Sequence, residues 1–214
     1  KWTGSRMNAT CKWNYDSVRK RFPVELYDEL GVAGLEAKLP PEILAVGAPI
    51  GEVSQAAAEH LGLVNRPMLA QGGIDAHIGM LGAGTLKSGE MLMIGGTSVV
   101  QLFQLDSQRP MTGFWGPYPH ALVDDHWLVE AGQVSAGSVL SWFARDLFEL
   151  DATGRSALYD RAAAIPVGGT GLLTLDYFMG NRTPYRDPLL RGAVIGLSLG
   201  HDRAAVYRSA VEGV

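Results

Sequence analysis

The sequence predicts an α/β fold on three observations. Short apolar runs bounded by glycine and proline alternate with segments of helical period along most of the chain. The composition, 47% hydrophobic and 19% charged over 214 residues, is that of a globular protein with apolar material for one sizeable core or two small ones. No internal repeat or low-complexity tract interrupts the alternation, so strands mixed with helices point to α/β rather than to an array.

Taken in order, Val24 to Leu30 reads as a short helix closed by Gly31, and Pro40-Pro41 punctuates a loop leading to a turn region at Gly47 to Gly51. A second helix has its core at Val53 to Leu61, with Ala56, Ala57 and Ala58 as strong helix formers and Gly62 in the stop position. Met68 to Gln71 is a strand running into the turn Gly72-Gly73, with Asp75 ahead of a helix over Ala76 to Leu81. Glu90 to Ile94, Val99 to Leu105, Ala121 to Val123 and Trp127 to Glu130 read as strands of a small hairpin-rich sheet. Ser138 to Leu147 and Ser156 to Ile165 are expected as helices, Leu172 to Leu175 and Ala193 to Leu197 as strands, and His201 onward as a helix. The expected domain junction lies near Gly72 to Asp75. The opening Lys1 to Gly4 lacks an initiator methionine and the last helix lacks closing signals, so the chain reads as an interior piece of a longer one.

Charge and cysteine content narrow the function. Eighteen Lys and Arg against 22 Asp and Glu give a formal charge of -4, and the basic residues are scattered, which argues against nucleic acid as a partner. Cys11 is the single cysteine, so no internal disulfide or cysteine-pair zinc site is expected and a reducing compartment, the cytoplasm, is the default. No signal peptide and no apolar stretch of the ~18 residues that span a bilayer is found, so no membrane association is expected.

Four segments carry candidate chemistry. In Gly72 to His77, Gly-Gly-Ile-Asp-Ala-His, two glycines allow a tight turn that presents a carboxylate at a helix start; Asp75 is there either as a first-turn residue satisfying backbone N–H groups or as a general base. Gly95-Gly96-Thr97-Ser98 lies between two strands, where side-chain-free backbone and two hydroxyls suit a phosphate, though a plain hairpin turn reads the same way. It is neither a Walker loop nor a nucleophile elbow. Glu130 to Trp142 runs from a strand into a helix, leaving a helix start and Gly137 to face an anion or simply to pack closely. Arg182 and Arg191 flank loops, as fixing salt bridges or as ligand contacts. The five histidines show no metal-ligand spacing on one helix face, Asp124-Asp125-His126 reads as a hairpin tip, and Phe114 to Tyr118 as aromatic packing.

The order of these segments resembles the FGGY carbohydrate kinases, which have the actin-like, ribonuclease H-like ATPase fold. GGIDAH at Gly72 to His77 looks like that family's catalytic-aspartate turn, GGTS at Gly95 to Ser98 like its second phosphate motif, and AGSVLSW at Ala136 to Trp142 like its nucleotide-side helix. GAVIGLSLGHDRAAVYRSAVE, Gly192 to Glu212, is similar to its C-terminal signature. The resemblance places residues 1–73 at the end of the family's sugar-side domain and 74–214 in the first half of its nucleotide-side domain. Cys11-Lys12-Trp13 and Ile74-Asp75-Ala76-His77 look most like the pentulose-kinase branch, with its D-ribulokinases.

What the resemblance implies is ATP-dependent phosphorylation of a sugar or polyol hydroxyl, with Asp75 as base and Asp75, Ala76 and His77 on the substrate side. Gly95, Gly96, Thr97, Ser98, Gly137 and Ser141 then serve ATP and its phosphates, Mg2+ arrives with the nucleotide, and no protein-held metal is expected. The Gly72-Gly73 turn is the expected hinge, and a homodimer is left open. A catalytically inactive sugar- or nucleotide-binding regulatory protein of the same fold is the competing expectation.

Overall fold

The computed structural model describes residues 2–214, Lys1 lying outside the described residues, and its residues group into two units. One takes the chain up to Leu92 with Leu102–Met111 and Trp115–Glu130; the other takes Met93–Gln101, Thr112–Phe114 and Ala131–Val214.

In the first unit β1 (Thr3–Ser5) runs straight into α1 (Arg6–Trp13) and pairs in parallel with β2 (Glu42–Leu44), Thr3 opposite Glu42 and Ser5 opposite Leu44. No periodic apolar stripe marks α1, yet Met7, Ala9, Thr10 and Cys11 are buried, and the helix closes at Asn14 in the left-handed region, φ 52°, which asparagine tolerates. α2 (Val24–Glu29) sits against the same region through Tyr27, whose hydroxyl donates to the Trp13 carbonyl at 2.5 Å. The stretch expected as a turn at Gly47 to Gly51 contains most of a strand, β3 (Pro49–Glu52), antiparallel to β4 (Met68–Ala70), with a register shift between Pro49 and Gly51. Between them lies α3 (Gln55–Leu61). Its start is fixed by the Ser54 hydroxyl accepting from Ala57 N–H at 3.2 Å, and its end by left-handed Gly62. α4 (Asp75–Ala83) follows and closes at Gly84. Met7, Met80, Leu102 and Leu128 of this unit are fully buried.

β5 (Met91–Gly95), β6 (Val99–Leu105), β7 (Trp115–Pro119) and β8 (Trp127–Gln133) make a four-stranded sheet in the order β5-β6-β8-β7, with residues of the sheet shared between the two units. The strand expected at Ala121 to Val123 does not form: those residues lie in the connection between β7 and β8, and the aromatic segment takes the strand position instead. Two prolines speak against a strand at Trp115–Pro119, but β7 is an edge strand, where a missing N–H costs no ladder bond. A bulge between Trp115 and Tyr118 accommodates Gly116, at φ 91°, so close to β8 that a Cβ there would stand 2.6 Å from the Leu128 carbonyl.

The second unit is built on α5 (Gly137–Trp142), a π-segment at Phe143–Leu147, α6 (Ala152–Ala163) and α7 (Arg203–Gly213), with the antiparallel pair β9 (Leu173–Leu175) and β10 (Ala193–Ile195). Val139, Phe143 and Ala144 meet Leu158 and Ala162 of α6 and Ala204, Tyr207 and Ala210 of α7 in one apolar cluster. Both long helices are capped by aspartate: Asp151 accepts from Gly154 N–H at 2.7 Å, Asp202 from Ala205 N–H at 2.9 Å. His201 therefore lies before α7 and not in it, its Nδ1 beside Ser198 N–H and its Nε2 3.0 Å from the Thr170 carbonyl. Among the described residues no helix is long and apolar enough to cross a membrane.

Candidate functional site

The first unit carries Asp75, Ala76 and His77 at the start of α4. Ile74 precedes the helix in extended conformation, and the Asp75 carboxylate, exposed, accepts from Ala76 N–H at 2.7 Å. Neither Gly72 nor Gly73 adopts a positive φ. The demand at Gly73 is close approach: a Cβ would lie 2.6 Å from the Met7 sulfur, and Ile74 N–H points at the same atom from 3.2 Å. His77, two residues after Asp75, is turned inward and only 2% exposed, its Nε2 3.5 Å from a Glu130 carboxylate oxygen on β8. Cys11 is buried within reach of the Glu130 charge. Burial pushes its thiol up to about 12, Lys12 opposing and the Glu130 charge adding to the rise.

The second unit carries the other candidates. Residues 96–98 form the bend between β5 and β6, and the Thr97 carbonyl is gripped from α5's side by Ala136 N–H at 2.9 Å and by the Ser138 N–H and hydroxyl at 3.3 and 2.9 Å. Gly137 N–H donates to the Gly96 carbonyl at 3.0 Å, and Gly96 N–H to the Ser98 carbonyl at 2.9 Å. Both amides thus already have partners within the protein, and the short α5 does not leave Gly137 N–H free for an anion. A Cβ at Gly137 would stand 2.6 Å from the Gly96 oxygen, so glycine is there to let the helix touch the bend.

Above this contact opens a cavity of about 420 Å³ lined by Gly96, Thr97, Gly137, Ser138, Ser141 and Arg145. Four of the six residues expected on the phosphate side, Gly96, Thr97, Gly137 and Ser141, come together in it. Gly95 ends β5 and Ser98 serves the bend through its carbonyl, and neither lines the cavity. An adjoining cavity of about 500 Å³ shares Ser138 and Arg145 and adds Trp142, Phe178 and Met179 among its walls. Ser138 and Arg145 were not anticipated. Their spacing from Ser141, three before and four after, is the signal that places residues on one helix face.

Other candidates have local partners. Arg191 donates through Nη1 to the Pro188 and Leu190 carbonyls of its own loop at 3.0 and 2.9 Å. Asp124 pairs with Arg6 at 2.5 Å, and His126 Nδ1 lies 3.0 Å from the Asp124 carbonyl. Among the described residues no group of three or more His, Cys, Asp or Glu is placed to hold a metal ion.

Residues 91–214 match the FGGY family of carbohydrate kinases, C-terminal domain. A ribulokinase from Shouchella clausii is 32% identical over 98% of this chain. Among solved structures, a xylulose kinase from Brucella ovis superposes over 100% of the chain with a TM-score of 0.81 at 26% identity, covering 43% of that protein. A ligand-bound xylulose kinase from Lactobacillus acidophilus, 24% identical, shares the fold with a TM-score of 0.83 over 100% of the chain and 42% of its own. The chain therefore belongs to the FGGY family of carbohydrate kinases and has their actin-like ATPase fold. It spans about 40% of the length of the curated relative it matches.

Proposed function

We propose that the protein transfers the γ-phosphoryl group of ATP to a sugar hydroxyl, a pentulose such as D-ribulose being the favoured acceptor. The observation that carries this reading is the cavity over the Gly96-Thr97 bend, where chain segments some forty residues apart in sequence bring hydroxyls and a guanidinium around one space. Phosphoryl transfer asks the protein mainly for positioning and charge stabilisation. Thr97 and Ser141 supply hydroxyl donors, while Gly96 and Gly137 supply the close packing that fixes the bend. Asp75 accepts the proton of the acceptor hydroxyl as its oxygen bonds to the γ-phosphorus and the bond to the bridging oxygen of ADP breaks. The carboxylate is exposed and held by one backbone bond, which leaves acceptor capacity for a substrate hydroxyl. His77 lies in the interior, its Nε2 3.5 Å from a Glu130 carboxylate oxygen. Magnesium enters with the nucleotide, held by phosphate oxygens and water. The names of the relatives, ribulokinase and xylulose kinase, favour a ketopentose acceptor.

The test is ADP production by the complete encoded protein with ATP, magnesium and a panel of pentuloses, polyols and glycerol, beside its Asp75→Asn variant. Stimulation by a pentulose, lowered in the variant by ~10²–10⁴ with an unchanged melting temperature, is the expected result. Equal turnover in the variant would remove Asp75 from the base role, and no stimulation by any acceptor would overturn the kinase reading.

A further inference from the structure

Arg145 is the charged residue in the wall of the Thr97 cavity, and it borders the adjoining aromatic cavity as well. Its position depends on the π-segment Phe143–Leu147, where Phe148 N–H reaches back five residues to the Phe143 carbonyl at 2.9 Å. Such single-turn widenings cost hydrogen-bond geometry and are found frequently at functional sites. Asp146 holds one edge of the guanidinium, Nε to Oδ1 at 2.9 Å and Nη2 to Oδ2 at 3.0 Å. The Nη1 end has no partner among the described residues and remains available to a ligand.

The neutral donors of this cavity are few. The Gly96 and Gly137 amides and the Ser138 hydroxyl are spent on carbonyls, leaving the Thr97 N–H and the Thr97 and Ser141 hydroxyls. A polyphosphate carries more charged acceptor oxygens than these neutral donors can satisfy, and a planar guanidinium with a fixed orientation is suited to phosphate oxygens. We propose that Arg145 is a nucleotide-binding residue, its guanidinium, aligned by Asp146, taking a phosphate oxygen of a nucleoside di- or triphosphate in the Thr97 cavity. This deepens the nucleotide reading of that cavity and rests on it.

Calorimetric titration of the complete encoded protein with ADP, in the parent and in Arg145→Ala, Arg145→Lys and Asp146→Asn, tests it. Loss of one charge-assisted contact raises the ADP Kd about ten- to a hundredfold in Arg145→Ala, with partial recovery in Arg145→Lys and a smaller rise in Asp146→Asn, while the acceptor KM stays within about twofold of the parent. An ADP Kd within about twofold of the parent in Arg145→Ala overturns the role of Arg145 and leaves the kinase reading standing. A parent that binds no ADP overturns both. Should Arg145→Ala melt early, Arg145→Lys and Asp146→Asn, which keep the long side chain on the helix, decide the matter by the same ADP titration.

Discussion

At the scale of single residues the glycines of the candidate site divide by what they are needed for. Gly73 and Gly137 both lie at backbone angles open to any residue, and both are glycine because another part of the protein is too near: the Met7 sulfur in one case, the Gly96 carbonyl in the other. The two obstacles differ in kind. The Met7 side chain can turn away, whereas the Gly96 carbonyl is part of the bend that carries Thr97. Gly137→Ala is therefore expected to push α5 from the bend, lowering stability by about 1–3 kcal/mol and raising the ATP KM, since Thr97 loses its alignment with Ser141. A thermal melt beside an ATP titration at saturating acceptor measures both. A variant with the parent's melting temperature and KM would mean that the contact is not what fixes the bend.

At the scale of elements, α7 shows where local chemistry decides. Its first turn is fixed by Asp202, whose carboxyl is held below the ordinary carboxylate range first of all by the Ala205 N–H, with burial opposing and the nearby Arg161 charge adding a lesser lowering. A carboxylate whose folded pKa is depressed contributes stability that is present above its unfolded pKa, about 3.9, and lost as the pH falls through the folded value. Asp202→Ala should cost about 1 kcal/mol near neutral pH, and the gap in melting temperature to the parent should close below about pH 4. A gap unchanged in acid would assign the effect to packing rather than to the cap. The same local logic explains which elements could be read from the sequence. The Ala-rich body and Gly62 stop announced α3, and alternation with turn residues announced β6 and β8. α1 was silent because its polar residues, Arg6, Asn8, Thr10 and Lys12, alternate one by one with apolar ones, which is not the period of a helix; β7 was silent because its prolines are tolerated only at an edge, and an edge is a property of the finished sheet. The π-segment after α5 was equally invisible, since one widened turn changes which residues share a face without changing composition.

At the scale of the whole molecule the candidate residues are divided between two units, Asp75 and His77 in one and Thr97, Gly137, Ser141 and Arg145 in the other. Order along the chain made the segments recognisable together, but the shared cavity of the second unit depended on a contact between a bend and a helix that no spacing encodes. The spacing of Arg145 from Ser141 put the two on one helix face, but only that contact made the face the wall of a cavity. Because a ligand that binds the folded state slows the opening of the elements it touches, the division has a readable consequence. ADP is expected to slow amide hydrogen exchange in peptides covering 95–99 and 137–147 of the complete protein and to leave α4 near its unliganded rate. A pentulose added alone is expected to protect the first turns of α4 and to leave residues 137–147 unchanged. Exchange followed by mass spectrometry separates these patterns, since the segments fall in different peptides. Protection of α4 by ADP with none at 95–99 would reverse the assignment, because the nucleotide would then be read by the unit that holds Asp75.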